Sequence, residues 1–300
     1  MRPLFTWRLA SRSVELGSRT LIMGVLNVTP DSFYDGGRYA STATAVEHGL
    51  KLADDGADIL DVGGESTRPG ARTDEAGVSR DEELRRVLPV IEQLKSKRPD
   101  ALLSIDTYKS AVARAAVAAG AEIVNDVSAG RWDAEMAPTI AELRAGAVLM
   151  HMRGRPEEWR TLPRLEGDEL LAQVSRDLAA WAKAALQAGV RRESIVLDPG
   201  FGFGKNFEEN YPLLARFDEL QQLGFPLLAG TSRKSFIGRA LRHDDKDAAV
   251  DERLYGTLAT VVISLLKGAH IVRVHDVKPA VDAIRVADAV LAAQPVSQSA

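Results

Sequence analysis

The chain has 300 residues, near the size of one (β/α)₈ barrel, and length alone would equally allow two smaller domains. Apolar residues make up 45% and charged residues 27%, enough to bury a large core, while 24 glycines and 13 prolines are ordinary usage and exclude collagen-like or Pro/Gly-driven disorder. A net charge of −4 provides no global basic field for nucleic acid or an anionic membrane, and the lack of cysteine excludes disulfides, thiolate metal sites and a Cys nucleophile.

The first twelve residues mix Trp, Phe and Leu with Arg2, Arg8 and Arg12 and lack the apolar run of an export signal. The most apolar stretch, 258–266, is far short of the ~18 residues needed to span a bilayer, so the expected compartment is the cytoplasm. Residues 11–19 (SRSVELGSR) read as a hairpin turn, within a 1–20 extension that caps the barrel. Strands are then predicted at 21–25, 58–62, 102–106, 122–126, 147–151, 194–198, 226–230 and 270–274. Helical stripes separate them. Val46, Leu50 and Ala53 come first, then Leu84, Val87, Leu88, Ile91 and Leu94, with a bend expected at Pro89. An Ala-rich run follows at 111–119, then stripes from Leu170 to Ala185, Leu213 to Leu223, Leu254 to Leu265 and Val281 to Leu291. Most end just before a glycine, the usual C-terminal stop.

Eight strand–helix units indicate a single (β/α)₈ TIM barrel over 21–293, with an open doubly wound sheet as runner-up and 294–300 as a flexible tail. Barrel enzymes work where strands end. Here the strands run in turn into Asn27, Gly63 to Arg68, Asp106, Asn125-Asp126, Met150 to Arg153, Asp198 to Lys205, Gly230 to Ser235 and Arg273 to Asp276. Asp61 and Asp126 taken singly read as caps or turn formers, Phe201 and Phe203 as packing, and His48, His243 and the charge run 242–253 as solvated surface. A full rim of Asn27, Arg68, Asp106, Asn125, Asp198, Lys234, Arg273 and His275 is a different matter. Arg68, Arg273 and His275 make an anion site suited to phosphate or pyrophosphate. Asn27 offers a neutral oxygen to Mg²⁺ bound mainly through water and phosphate. Asp106, Asn125 and Asp198 fit the edge of a heterocycle that carries amino, ring N–H and carbonyl groups, and Lys234 can reach either half. The glycine-rich 199–205 loop matches neither the Walker A nor the dinucleotide spacing.

In these blocks the chain resembles the dihydropteroate synthase family of pterin-binding barrels. The likeness rests on MGVLNVTPDSF at 23–33, DVGGESTRPGA at 61–71, SIDT at 104–107, Asn125-Asp126, LMHM at 149–152, LDPGFGFGK at 197–205, GTSRKS at 230–235 and RVHD at 273–276. Tyr34, where many relatives look like Ser, and the polar stretch 155–168 are the visible variations. The resemblance implies condensation of 6-hydroxymethyl-7,8-dihydropterin diphosphate with p-aminobenzoate to 7,8-dihydropteroate and pyrophosphate. It implies a catalytic set of Asp106, Asp198, Lys234, Arg273 and His275, and a pterin site of Asp106, Asn125, Val127, Met150, Asp198, Phe203 and Lys234. Arg68, Arg273 and His275 would take the diphosphate, and Phe33, Thr67, Pro69, Lys234 and Ser235 the p-aminobenzoate, also the site of sulfonamide inhibitors. Asn27 would hold Mg²⁺, segments 29–39 and 64–77 would be mobile loops, and the protein would be a homodimer. A mechanism of dissociative C–O cleavage follows, with the arylamine attacking the pterin methylene. A pterin-binding methyltransferase barrel and a non-catalytic pterin-binding paralogue are the alternatives.

Overall fold

The computed structural model describes residues 2–29, 37–65 and 77–293, without the side chains of 37–41. The tail 294–300 lies outside the described residues. The chain opens with an antiparallel hairpin, β1 (Phe5–Arg8) and β2 (Ser13–Leu16), in which Phe5 faces Leu16 and Arg8 faces Ser13. The turn therefore falls at 9–12, earlier than the sequence suggested.

Eight parallel strands follow: β3 (Leu21–Asn27), β4 (Ile59–Gly63), β5 (Leu102–Asp106), β6 (Ile123–Asp126), β7 (Gly146–Met150), β8 (Ile195–Asp198), β9 (Leu228–Ala229) and β10 (Ile271–Val274). Hydrogen bonding runs in the order β8-β7-β6-β5-β4-β3-β10-β9. The ring closes through a bridge between Leu197 and Leu227, with the Leu197 amide donating to the Pro226 carbonyl at 2.9 Å. That seam is why β9 is so short: Pro226 can accept but has no N–H to donate.

Between the strands lie α1 (Gly37–Asp54), α2 (Arg80–Lys97), α3 (Ser110–Ala118), α4 (Met136–Leu143), α5 (Gly167–Gln187), α6 (Asn210–Ala215), α7 (Ser235–Ala240) and α8 (Leu254–Leu266), with α9 (Val277–Ala292) last. In α2 the Ser79 hydroxyl accepts from the Glu82 amide, acids fill the first turn and Lys95 and Lys97 the last; the helix runs unbroken through Pro89. The stripe from Leu213 to Leu223 is split. Phe217, Leu220 and Leu223 recur every three residues, which aligns on a 3₁₀ helix, and 217–223 adopts one. Among the described residues no helix is long and apolar enough to cross a membrane.

Two apolar layers result. One packs helices on the outside of the sheet. The other fills the barrel's lower interior, where Leu21, Met23, Ile59, Leu102, Ile123, Val148, Val196, Leu228 and Ile271 meet Trp7, Leu9 and Leu16 of the hairpin. The hairpin is thus a plug, with the Trp7 indole donating to the Ser194 carbonyl at 2.9 Å. Side chains alternate sides along a strand. The parity that points Met23, Ile59, Leu102, Ile123, Val196 and Ile271 inward below therefore carries Asn27, Asp61, Asp106, Asn125, Asp198 and Arg273 to the inside above. The polar rim is the upper end of the same inward registers.

Candidate active site

Arg273 occupies the centre of the upper barrel. Its Nε donates to Asp61 Oδ2 at 2.6 Å and its Nη2 to Asp106 Oδ2 at 2.7 Å. Asn125 Nδ2 donates to the same Asp61 oxygen at 2.9 Å. Three strands and the guanidinium are thereby locked in one network, with Asp61 fully buried. Its other oxygen, Oδ1, has no partner.

Asp61 is the residue that sequence reasoning missed by treating it as a cap or turn former. Its even spacing from the inward Ile59 was the signal. Asp126 does behave as a turn former, accepting from the Ser128 amide and hydroxyl and from the Gly130 amide.

Crowding of carboxylates in this dry space changes how they titrate. Burial, with Asp61 adding to it and Arg273 opposing, pushes Asp106 up to about 7. Burial likewise pushes Asp198 up to about 6, against the Gly200 amide and the charge of Lys234. Asp198 Oδ1 accepts from that amide at 2.7 Å. A Cβ built at Gly230 would lie 3.8 Å from Asp198 Oδ2 and 3.9 Å from the Arg273 Cβ, so both flank one space.

An apolar wall stands beside these groups. Val127, Met150 and Met152 pack together, with Tyr108, Trp132, Trp159 and Phe203 against them. Lys234 Nζ lies 3.8 Å above the Phe203 ring, so the predicted lysine and aromatic meet face to face. Phe201, two residues earlier, is instead core, stacked on Phe217. Lys234 caps α7 and Ser235 opens it, beside the 231–234 turn.

His275 is half-buried, and its partial burial with Arg273 and Arg233 nearby draws it down to about 3, so the ring is neutral at pH 7. Ser232 Oγ accepts from the His275 amide at 3.2 Å and lies 3.0 Å from ring Nδ1. With the hydroxyl proton given to Nδ1, the ring hydrogen sits on Nε2. Asn27 tops β3. A Cβ at Gly63 would lie 3.8 Å from Asn27 Oδ1 and 3.6 Å from Asp106 Oδ2, so the two oxygens share one opening. Among the described residues no cluster of three His, Cys, Asp or Glu could hold a metal. A lone amide oxygen near a carboxylate does suit a hard cation that keeps most of its waters and takes phosphate oxygens. Phe33, Thr67, Arg68 and Pro69, and most of the two expected loops, lie outside the described residues.

A plugged barrel with a hydrogen-bonding trio, an aromatic wall and a half-buried guanidinium at its upper end defines a heterocycle-binding TIM-barrel enzyme. Comparison gives the class its name: the family described as Pterin binding enzyme matches residues 23–275. The dihydropteroate synthase of Bacillus subtilis is 45% identical over 273 residues, covering 91% of this chain and 89% of its own length. A structure of the Xanthomonas albilineans dihydropteroate synthase with 4-aminobenzoic acid superposes with a TM-score of 0.86 at 44% identity, covering 96% of this chain and 100% of that one. The same enzyme in complex with 7,8-dihydropteroate gives 0.81 at 43% identity, with the same coverage. The chain belongs to the pterin binding enzyme family, in its dihydropteroate synthase branch.

Proposed function

We propose that the chain joins 6-hydroxymethyl-7,8-dihydropterin diphosphate to p-aminobenzoate, releasing pyrophosphate and 7,8-dihydropteroate, a transferase step of folate biosynthesis. The observation that carries this reading is the convergence of Asp106, Asn125 and Asp198 beside the wall of Val127, Met150 and Phe203, with Lys234 above and Arg273 between the carboxylates. A flat heterocycle with amino and ring N–H groups satisfies such acceptors, and its faces suit the apolar wall.

The C–O bond breaks with its electron pair leaving on pyrophosphate. Arg68, Arg273 and the Nε2–H of neutral His275 hold the departing anion, while Asp106 and Asp198 offset the positive charge left on the pterin methylene. The arylamine of p-aminobenzoate, placed by Phe33, Thr67, Pro69, Lys234 and Ser235, then forms the N–C bond and loses a proton. It is neutral at pH 7 and needs no strong base. Asn27 would hold Mg²⁺, which when bound neutralises charge on the diphosphate.

The protein works in the cytoplasm as a homodimer. Tyr255, Ile263 and Leu266 of α8 and Val286 and Val290 of α9 are exposed, and these two helices support a self-complementary apolar contact. Sedimentation should give twice the monomer mass, and a monomer mass would refute the dimer. Incubation with both substrates and Mg²⁺ tests the activity: 7,8-dihydropteroate, identified by mass, forms in equal amount with pyrophosphate. Binding of the pterin without product would return the chain to the methyltransferase or non-catalytic readings.

A further inference from the structure

Beneath the pocket, on the side away from substrate, a buried lysine ties the glycine-rich 199–205 loop together. Lys205 is 6% exposed, yet its Nζ has four acceptors in reach: Gly200 O at 2.8 Å, His151 Nδ1 at 3.0 Å, Phe203 O at 3.2 Å and His151 O at 3.4 Å. His151 is fully buried, and its Nε2 faces Asp177 Oδ2 of α5 at 3.3 Å. Only one neutral tautomer serves both ends: Nδ1 accepts from the ammonium while Nε2–H donates to Asp177. The imidazole is further clamped by stacking on Trp181, centroids 5.2 Å apart, with the Arg131 guanidinium 4.0 Å from that indole.

The carbonyls that Lys205 grips belong to residues that shape the pocket. Gly200 donates its amide to Asp198 Oδ1, and Phe203 carries Lys234 on its ring. The loop is pressed hard onto the end of β7. A Cβ at Gly200 would come within 1.9 Å of His151 O, and one at Gly204 within 2.1 Å of Arg153 O, both at positive φ. Phe201 anchors the turn in the core, Asn210 Oδ1 accepts from the Gly202 amide at 2.7 Å and Arg153 donates to the Gly204 carbonyl at 3.3 Å, while the ammonium is what holds the carbonyls of Gly200 and Phe203.

We propose that Lys205 is a positioning residue of the pterin pocket, fixing Asp198 and Phe203 through the peptide carbonyls of Gly200 and Phe203, with His151 and Asp177 fixing Lys205 in turn. Burial draws Lys205 down to about 7; Asp198 and Glu209 oppose this, while Arg153 and Lys234 add to it. The charge therefore depends on the acceptors around it, and losing one of them loosens the loop rather than the barrel.

The proposal rests on the pterin reading of the pocket, and the test separates the two. Lys205→Met keeps the length and removes the donors. Asp177→Ala removes only the outer acceptor, on a side chain 27% exposed, and leaves the pocket's own groups untouched. Dissociation constants for the dihydropterin diphosphate are measured by calorimetry, and KM values for both substrates by steady-state kinetics. Lys205→Met should weaken pterin binding at least tenfold and Asp177→Ala about threefold. Both should raise the KM for p-aminobenzoate less than they weaken pterin binding, since only Lys234, which rides on Phe203, links the loop to that site, and Lys205→Gln, which keeps two N–H donors, should recover part of the loss. A role confined to stability would lower the melting temperature and leave the pterin constants of the folded protein alone. Unchanged pterin binding in folded Lys205→Met overturns the proposal, as does an equal rise in both KM values. If Lys205→Met does not fold, unchanged pterin binding in Asp177→Ala overturns it. Failure of the wild-type protein to bind the pterin refutes instead the reading of the pocket.

Discussion

Replacing Asp106 with Asn should make the protein more stable and nearly inactive at the same time. The carboxyl group titrates at about 7 in the fold against 3.8 ordinarily. The folded state therefore keeps a proton that the unfolded chain has lost, and stability falls as pH rises from about 4 to about 7. Above that window the ionised group disfavours folding by roughly 4 kcal/mol relative to its protonated form. Asn is neutral at every pH and removes this term, but it gives up the charged bond to Arg273, which keeps its bond to Asp61. The expected net gain is about 1–3 kcal/mol at pH 8, a rise of roughly 2–6 °C in melting temperature for a domain this large. Thermal unfolding of both proteins from pH 4.5 to 8.5 checks it: the Asn variant's advantage should grow with pH and level off above 7. Its kcat should fall by about a hundredfold or more, the scale of losing one preorganised charge at a reacting centre. An advantage that is absent or independent of pH would refute the electrostatic reasoning, and a near-normal kcat would refute the role given to Asp106.

Three further expectations follow from the same geometry. Removing the guanidinium with Arg273→Ala leaves the fully buried Asp61 with Asn125 alone, so denaturant titration should show a loss of roughly 3–5 kcal/mol, and calorimetry should show pyrophosphate binding weakened. Because both pocket carboxyls are raised, to about 6 and about 7, kcat/KM for the pterin substrate should climb as pH rises through 6 to 7. A profile flat over that range would contradict it. At the barrel's other end, Trp7→Ala empties the plug and should cost about 3–5 kcal/mol of stability while leaving kcat unchanged. A changed kcat with little lost stability would mean the plug reaches the site.

Much of this was legible in the sequence because both signals involved are local. Strand runs such as 102–106 needed only their apolar residues and flanking helices, and β5 has those bounds. The rim residues were found by looking where strands end. What escaped depended on partners distant in the chain. Asp61 gives itself away only when its parity with Ile59 is followed inward and Arg273, 212 residues on, is placed against it. Lys205 and His151 looked like ordinary members of their motifs until the loop was laid on β7. The helices α4 and α7 were passed over because each is under three turns long, too short for a periodic stripe to emerge. The two-residue β9 reflects ring closure, which is a property of all eight strands together.

The central claim is that carboxylates at the upper ends of inward strand registers bind the pterin and drive loss of pyrophosphate. Single-turnover pyrophosphate release by the wild type, Asp106→Asn and Asp198→Asn tests it most directly, with folding confirmed by circular dichroism. The account predicts complete release by the wild type and a rate lower by about two orders of magnitude in each variant, roughly 2.7 kcal/mol of lost transition-state stabilisation. Release at the wild-type rate by either folded variant would contradict it.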